Sequence, residues 1–452
     1  LLGKAGTPAG QLDHRSVKQG LKMKKVLIIS PNFPPVNAAD MHRVRQSLEF
    51  FPGMGWQATV VAVEPGYVEM SEDPILLDTI PGDATVIRIR AFDPKYTRKI
   101  GLGNLGYRSL WFYYKTCNKL IRQHEYDLIY FSTTAFPVMI LGRYWKQKFG
   151  IPFIIDMQDP WRNDFYLDKP KSERPPKFLF AYTMDKFMEA FTMKKVAGIV
   201  SVSAGYPETL MERYANITPE RCTVIPFGGA SIDFEVLEKA RITNPLFIPG
   251  NGAINCAYIG RGGHDMALAL SGIFAAFKHG METNPDLFGR VKFYFVGTSY
   301  AADGRGQKTI EPVALKFGVG DHVVEVTDRL PYFTALKVLR DADILIIPGS
   351  TDTNYTASKL YPYILAHRPL LAVFNENSSV PGILAKTKAG RCVTFHNNDT
   401  VDLLGQKVFE ALKDFLERIP FLPGTDWQEF EPYTAREATR RQVEFFDKIL
   451  GR

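Results

Sequence analysis

Short apolar runs recur along this chain at intervals that suit buried strands. Residues 26–29, 59–63, 86–89, 128–131, 153–155, 199–202 and 223–225 are each almost wholly apolar, the pattern of a parallel strand covered on both faces. Segments with helical spacing separate most of them; Val44, Leu48 and Phe51 follow the first run in this way. Residues 244–255, NPLFIPGNGAIN, are rich in Pro, Gly and Asn and read as a linker. The alternation then restarts with runs at 256–259, 293–296, 323–326, 344–347, 370–373 and 392–394. The predicted fold class is α/β, with two Rossmann-like doubly wound domains facing a central cleft. Ligands in such sheets bind beyond the carboxyl ends of the strands.

The expected division follows from these runs. Residues 23–243 form the N-terminal domain, 244–255 the linker and 256–416 the C-terminal domain. Residues 417–452 form a tail whose helix, 434–450, packs back on the N-terminal domain. That helix opens with the capping box Thr434 and Glu437, and Phe445, Phe446, Ile449 and Leu450 give it an apolar edge. Residues 1–22 are polar and carry no apolar signal core, while Met23 opens a more typical start. They are expected to be a leader or disordered.

Composition narrows the class of protein. The chain of 452 residues is 45% hydrophobic and 23% charged, ordinary for a globular protein. Cys117, Cys222, Cys256 and Cys392 are scattered without a CxxC pair, so they read as buried thiols in a reducing compartment. No apolar run approaches a bilayer span. The formal charge is +7. No zinc-finger spacing, RNA-binding aromatic motif or basic helix array accompanies it, so nucleic acid is not an expected partner. Arg88, Arg90, Lys95, Arg98, Lys99 and Arg108 concentrate before Trp111, Phe112, Tyr113 and Tyr114. This reads as a surface for an anionic membrane, or equally as a solvated face with its aromatics turned inward.

The candidate chemistry centres on residues 341–374, a strand–loop–helix–strand unit. Proline is tolerated only in the first turn of a helix, so Pro362 places the helix start near Ser358. With Ser358 as N-cap, the N–H groups of Lys359, Leu360 and Tyr361 point outward beside the Lys359 ammonium. Such a terminus suits a phosphate-like anion; an ordinary capped helix with a surface lysine is the plainer reading. After the first run of the second half come Gly260, Arg261, Gly262 and Gly263, where glycines allow close phosphate approach and the arginine supplies a fork. Gly297 and Thr298 close the next strand, and Arg329, Leu330 and Pro331 follow the one after, where they could border a nucleobase. In the first half, Asp156, Asp159 and Trp161 follow a buried strand and are read as facing the cleft: Asp159 to orient an acceptor hydroxyl, Trp161 to stack on a sugar. Arg43, with His42 and Arg45, opens the first helix as an anion-binding candidate.

These stretches together resemble the retaining glycosyltransferases of the GT-B fold, the glycogen-synthase-like superfamily usually numbered family four. KKVLIISPNFPP, DMQDPW, AYIGRGG, FVGT, DADILIIPGS and SKLYPYILAHRPLLAVF occur in the family's order and span most of the chain from Met23. The resemblance implies a nucleotide-sugar donor on the second half, an acceptor on the first, and no metal or other cofactor. It implies that Arg261 and Lys359 hold the diphosphate, that Gly262 and Gly263 admit the donor, and that Arg329 to Pro331 lie near the base. Asp159 would serve the acceptor side. Two departures stand out. The family's ribose-binding glutamate falls on Pro362, and its partner glutamate, eight residues earlier, falls on Asn354, with Asp352 the candidate to compensate.

The expected function is a metal-independent retaining glycosyltransferase acting on a glycan or lipid-linked acceptor in envelope polysaccharide synthesis. Its expected place is cytoplasmic, at the inner face of the membrane. A nucleotide-sugar epimerase on the same scaffold and a non-catalytic nucleotide-sugar-binding partner protein are the alternatives.

Overall fold

The computed structural model describes residues 22–174, 178–301, 304–352 and 359–451. The first domain is a seven-stranded parallel sheet in the order β3-β2-β1-β4-β5-β6-β7. Its strands are β1 (Lys24–Ile29), β2 (Trp56–Val63), β3 (Thr85–Ile89), β4 (Leu128–Ser132), β5 (Phe153–Met157), β6 (Gly198–Ser201) and β7 (Cys222–Val224). β1 and β4 pair with Val26 opposite Leu128 and Ile29 opposite Phe131. The central strands β4, β5 and β6 are buried throughout, which is why their sequences run apolar without alternation.

The second domain is a six-stranded parallel sheet, ordered β10-β9-β8-β11-β12-β13. It contains β8 (Ile254–Ile259), β9 (Val291–Val296), β10 (Val323–Val326), β11 (Ile344–Pro348), β12 (Leu370–Asn375) and β13 (Arg391–Phe395). Both sheets are doubly wound, as the alternation predicted. β8 begins two residues inside the stretch read as linker, and Phe247 in that stretch is buried with its ring 4.8 Å from Tyr294. In each sheet the strand order reverses once, between β1 and β4 and between β8 and β11. A ligand crevice opens at such a reversal, beyond the strand ends.

Among the described residues, two of the places where the halves meet position the site. The Ala435–Ile449 helix lies against the first domain, where Phe446 packs 5.0 Å from the Tyr130 ring and 5.5 Å from Trp56. Thr439 Oγ1 donates to Ser47 Oγ at 3.1 Å on the same face. The other joint lies where the loop after β10 meets the first domain. Tyr332 donates to Asp233 at 2.6 Å, while Arg45 grips the same carboxylate at 2.5 and 2.9 Å. The His42 ring lies 4.7 Å from Tyr332, and burial pushes its pKa down to about 3, so it is neutral there. Phe333 N–H donates to Asp73. The carboxyl edge of the second sheet is therefore anchored beside the helix that follows β1.

Candidate functional site

The donor side is built at the β8–β11 reversal. Backbone bonds carry the ladder past the strand ends: Gly260 N–H to Val296 O, Gly262 N–H to Thr298 O, Gly297 N–H to Val326 O and Ser299 N–H to Thr327 O. The three loops after β8, β9 and β10 thus form one continuous floor. Gly297 has φ +71°, a left-handed conformation that favours glycine. A Cβ on Gly262 would come within 2.3 Å of Thr309 Oγ1, so a side chain there would have to push the Thr309 hydroxyl aside.

Arg261 lies on this floor, and Asp265 holds its guanidinium by two bonds of 2.9 and 2.6 Å. The same carboxylate accepts from Ser350 Oγ at 2.5 Å, and the Asp265 carbonyl accepts from Thr351 N–H at 2.9 Å. One aspartate therefore ties the turn after β8 to the loop after β11. Arg261 hydrogen bonding, with help from Ser350, pulls its pKa down to about 2.

Lys359 stands at the far side of that loop. Protein crowding pushes its pKa down to about 8, and the positive charges of Arg329 and Arg261 add to the shift. Solvent still reaches the side chain. Three cations from three loops thus share one field, unfavourable until an anion enters it. The helix behind Lys359 is Leu360–Leu365, with Lys359 itself as N-cap and no side-chain cap. Tyr363 on that helix fixes its seat, donating to Ile259 O and accepting from Ile259 N–H. Arg329 stacks over the exposed Tyr300 ring at 4.5 Å.

Several expected residues serve elsewhere. The N-cap is Lys359, not Ser358; Ser358 and Asn354 lie outside the described residues. The Leu360 side chain is wholly buried in the core. Thr298 gives its hydroxyl to buried Glu325, which also caps the N–H groups of Thr309, Ile310 and Glu311. Leu330 is half-buried, and Asp352 is exposed with its N–H donating to Ser350 Oγ. Pro362 is in the first turn, as expected.

The acceptor side departs further from expectation. Asp156 does not face the cleft: it is fully buried, accepting from Arg43 at 2.7 Å, Ser132 at 2.8 Å and Gln158 at 2.7 Å. Arg43, equally buried, also donates to Ile225 O. Neither is open to a substrate. Trp161 is buried too; it stacks on Phe136 at 5.6 Å and donates to Asp185, so no sugar can lie on it. Asp159 alone is exposed. The carboxyl itself is partly shut off from water although the residue as a whole is exposed, and that desolvation, then Asp40, holds its pKa above the usual range.

Asp40 was not singled out in the sequence, yet it occupies the β1–β4 reversal. Buried, it accepts from Asn32, Thr133 and both the N–H and hydroxyl of Thr134, and no cation appears among its hydrogen-bond partners. Burial raises its pKa as well. A pocket of about 200 Å³ opens beside it, reaching from Asn32 and Thr134 to Gly103 and Arg108. Among the described residues, no group of three or more His, Cys, Asp or Glu side chains is placed to hold a metal ion.

Two facing doubly wound domains are the arrangement of the GT-B fold. Residues 42–228 match the model of Glycosyltransferase Family 4. A glycosyltransferase from Rickettsia africae is 13% identical, covers 95% of this chain and 99% of its own, and superposes with TM-score 0.54. Anabaena HepE, bound to UDP and glucose, is 11% identical over 94% of this chain and 100% of its own, with TM-score 0.54. The α,α-trehalose 6-phosphate synthase of Burkholderia multivorans is 11% identical over 95% of this chain and 99% of its own, with TM-score 0.56. At these identities the likeness is one of fold. No curated protein matches the chain by sequence.

Proposed function

We propose that this protein transfers a sugar from a nucleoside-diphosphate donor to a glycan or glycoconjugate acceptor, with retention and without a metal. The observation that carries this reading is the shared field of Arg261, Arg329 and Lys359 at the β8–β11 reversal. A departing diphosphate is the charge such a field stabilises, and preorganised cations do so without reorganisation during the reaction. HepE, a structural neighbour, is described in complex with UDP and glucose, which supports a nucleotide-sugar donor here.

In the proposed reaction the bond from the anomeric carbon to the β-phosphate oxygen breaks. A bond from that carbon to the acceptor oxygen forms on the same face. The acceptor proton passes to the departing diphosphate. Arg261 and Lys359 take up the developing phosphate charge, while Asp159 orients the acceptor hydroxyl from the opposite domain. The acceptor belongs to envelope polysaccharide synthesis at the cytoplasmic face of a membrane. A second reading, a nucleotide-sugar-binding protein without transfer activity, is favoured by Pro362 at the helical position where the resemblance places a ribose-binding glutamate.

Thermal stabilisation by nucleoside diphosphates, with and without EDTA, tests donor binding. Turnover of nucleotide sugars over a broad acceptor panel then separates the readings. Stabilisation without turnover supports the second; no stabilisation by any nucleotide removes both.

A further inference from the structure

The helix Phe178–Met193, FLFAYTMDKFMEAFTM, is apolar nearly all round, although its outer side meets solvent. Its charged residues are Asp185, Lys186 and Glu189; Glu189 is buried and Asp185 half-buried beneath it. Lys186 alone is left among them on the outward face, beside Leu179, Phe180 and Phe187, each more than half exposed. A helix of this composition is normally covered.

The apolar face does not stop at the helix. Gly101, just after Ile100, lies against it, since a Cβ there would come 3.9 Å from the Phe180 ring. Ile100 and Tyr96 of this neighbouring segment are each about two-thirds exposed. On the other side, Tyr107 donates to Met188 Sδ, and Trp111, one turn further along the same helix face, is again more than half exposed. Lys95, Arg98 and Lys99 stand among these side chains, all exposed, with Arg98 paired to Glu69.

We infer that this face is a membrane-docking surface that lies on an anionic lipid bilayer. The inference rests on the proposed transfer reaction only in making the acceptor lipid-linked. Apolar side chains flanked by lysines are the chemistry that enters the headgroup boundary, the apolar part burying while the cations meet lipid phosphates. No helix among the described residues is long and apolar enough to cross a membrane, so docking would be from one side. The face also borders the acceptor side of the cleft. Gly103, three residues beyond Ile100, lines the pocket beside Asp40, so a headgroup-borne sugar would reach it without leaving the bilayer. The surface keeps Lys95, Arg98, Lys99 and Trp111 of the basic segment read in the sequence and leaves others out. Arg108 is buried, donating to Gly103, Tyr67 and Phe92 carbonyls, and Tyr113 is buried with its hydroxyl on Val61 O.

The test is co-sedimentation of the full chain with vesicles of phosphatidylcholine alone or with added phosphatidylglycerol. The expected result is binding to the anionic vesicles that weakens with salt. Ile100→Ser with Phe180→Ser, and separately Lys95→Glu with Lys99→Glu, should each weaken it by about tenfold or more. Both double variants should keep the wild-type melting temperature and its stabilisation by UDP, which shows that folding and the donor site are intact. Wild-type protein that ignores anionic vesicles overturns the inference. So does binding that neither double variant changes, or a dimer in sedimentation velocity that the apolar double variant dissociates. Because the assay needs no turnover, failure of the transfer reading would appear separately, as vesicle binding without nucleotide stabilisation.

Discussion

Asp265 grips Arg261 through both carboxylate oxygens, at 2.9 and 2.6 Å, and holds Ser350 with the second of them. The arginine expected to meet a diphosphate is thus already oriented by a carboxylate on the next turn. A donor would share the guanidinium, not find it bare. Asp265→Asn should leave the fold in place and raise the KM for the donor by about tenfold, because Arg261 loses the partner that aims it. Steady-state kinetics checks this, and an unchanged donor KM would show the pair to be an ordinary surface contact.

The same aspartate should report in acid. Its folded pKa lies near 2, below the ordinary carboxylate value of 3.8, so its contribution is fully present above the unfolded value. That contribution is lost as pH falls toward 2. The loops after β8 and β11 should loosen over this window, and amide hydrogen exchange should speed up there less in the Asp265→Asn protein than in the wild type. Screening by solvent keeps the expected effect on global stability small.

Lys359 titrates near pH 8 in the ligand-free protein, and an anion prefers its charged form. Affinity for UDP should therefore fall as pH rises through about 8. Lys359→Arg should flatten that fall, because a guanidinium stays charged. Lys359→Met should abolish nucleotide stabilisation and slightly raise the melting temperature of the free protein, since it removes a cation held beside two others. Calorimetric titration at several pH values measures the affinities, and thermal unfolding with and without UDP measures the stabilisation and melting temperatures.

Loss of water around it, and after that the nearby Asp40, raise the pKa of the Asp159 carboxyl on the acceptor side. Asp159→Asn should lower kcat about a hundredfold while leaving UDP affinity unchanged. The acid limb of the rate profile should lie above the ordinary carboxylate range. Asp40→Asn should move that limb to lower pH, because the repelling charge is gone. A limb that stays in place would mean that Asp159 is not the group it reports.

Arg43 and Asp156 make the opposite kind of prediction. Their buried pair is structural, so Arg43→Ala should cost about 3–5 kcal/mol by leaving an uncompensated buried carboxylate. Urea unfolding measures that cost. Nucleotide affinity, read in the fraction that remains folded, should not change.

Much of this protein was legible from local sequence. Seven and six apolar runs became the strands of two parallel sheets, because burial on both faces forces a strand to be apolar wherever it lies. Gly297 sits at a turn whose left-handed backbone favours glycine, and Gly262 where a Cβ would crowd the Thr309 hydroxyl. Pro362 bounded its helix for an equally local reason. The partners of charged groups were not legible. Arg43 and Asp156 are 113 residues apart, and only the meeting of the first helix with β5 turns two substrate candidates into a sealed pair. Trp161 was drawn inward by Phe136 and Asp185, while Asp40 finds Asn32, Thr133 and Thr134 only where the loops after β1 and β4 meet. Periodicity is a property of neighbours along the chain, so the sequence carries it; the field at a charged group is a sum over everything nearby in space, and only the folded chain decides what is nearby.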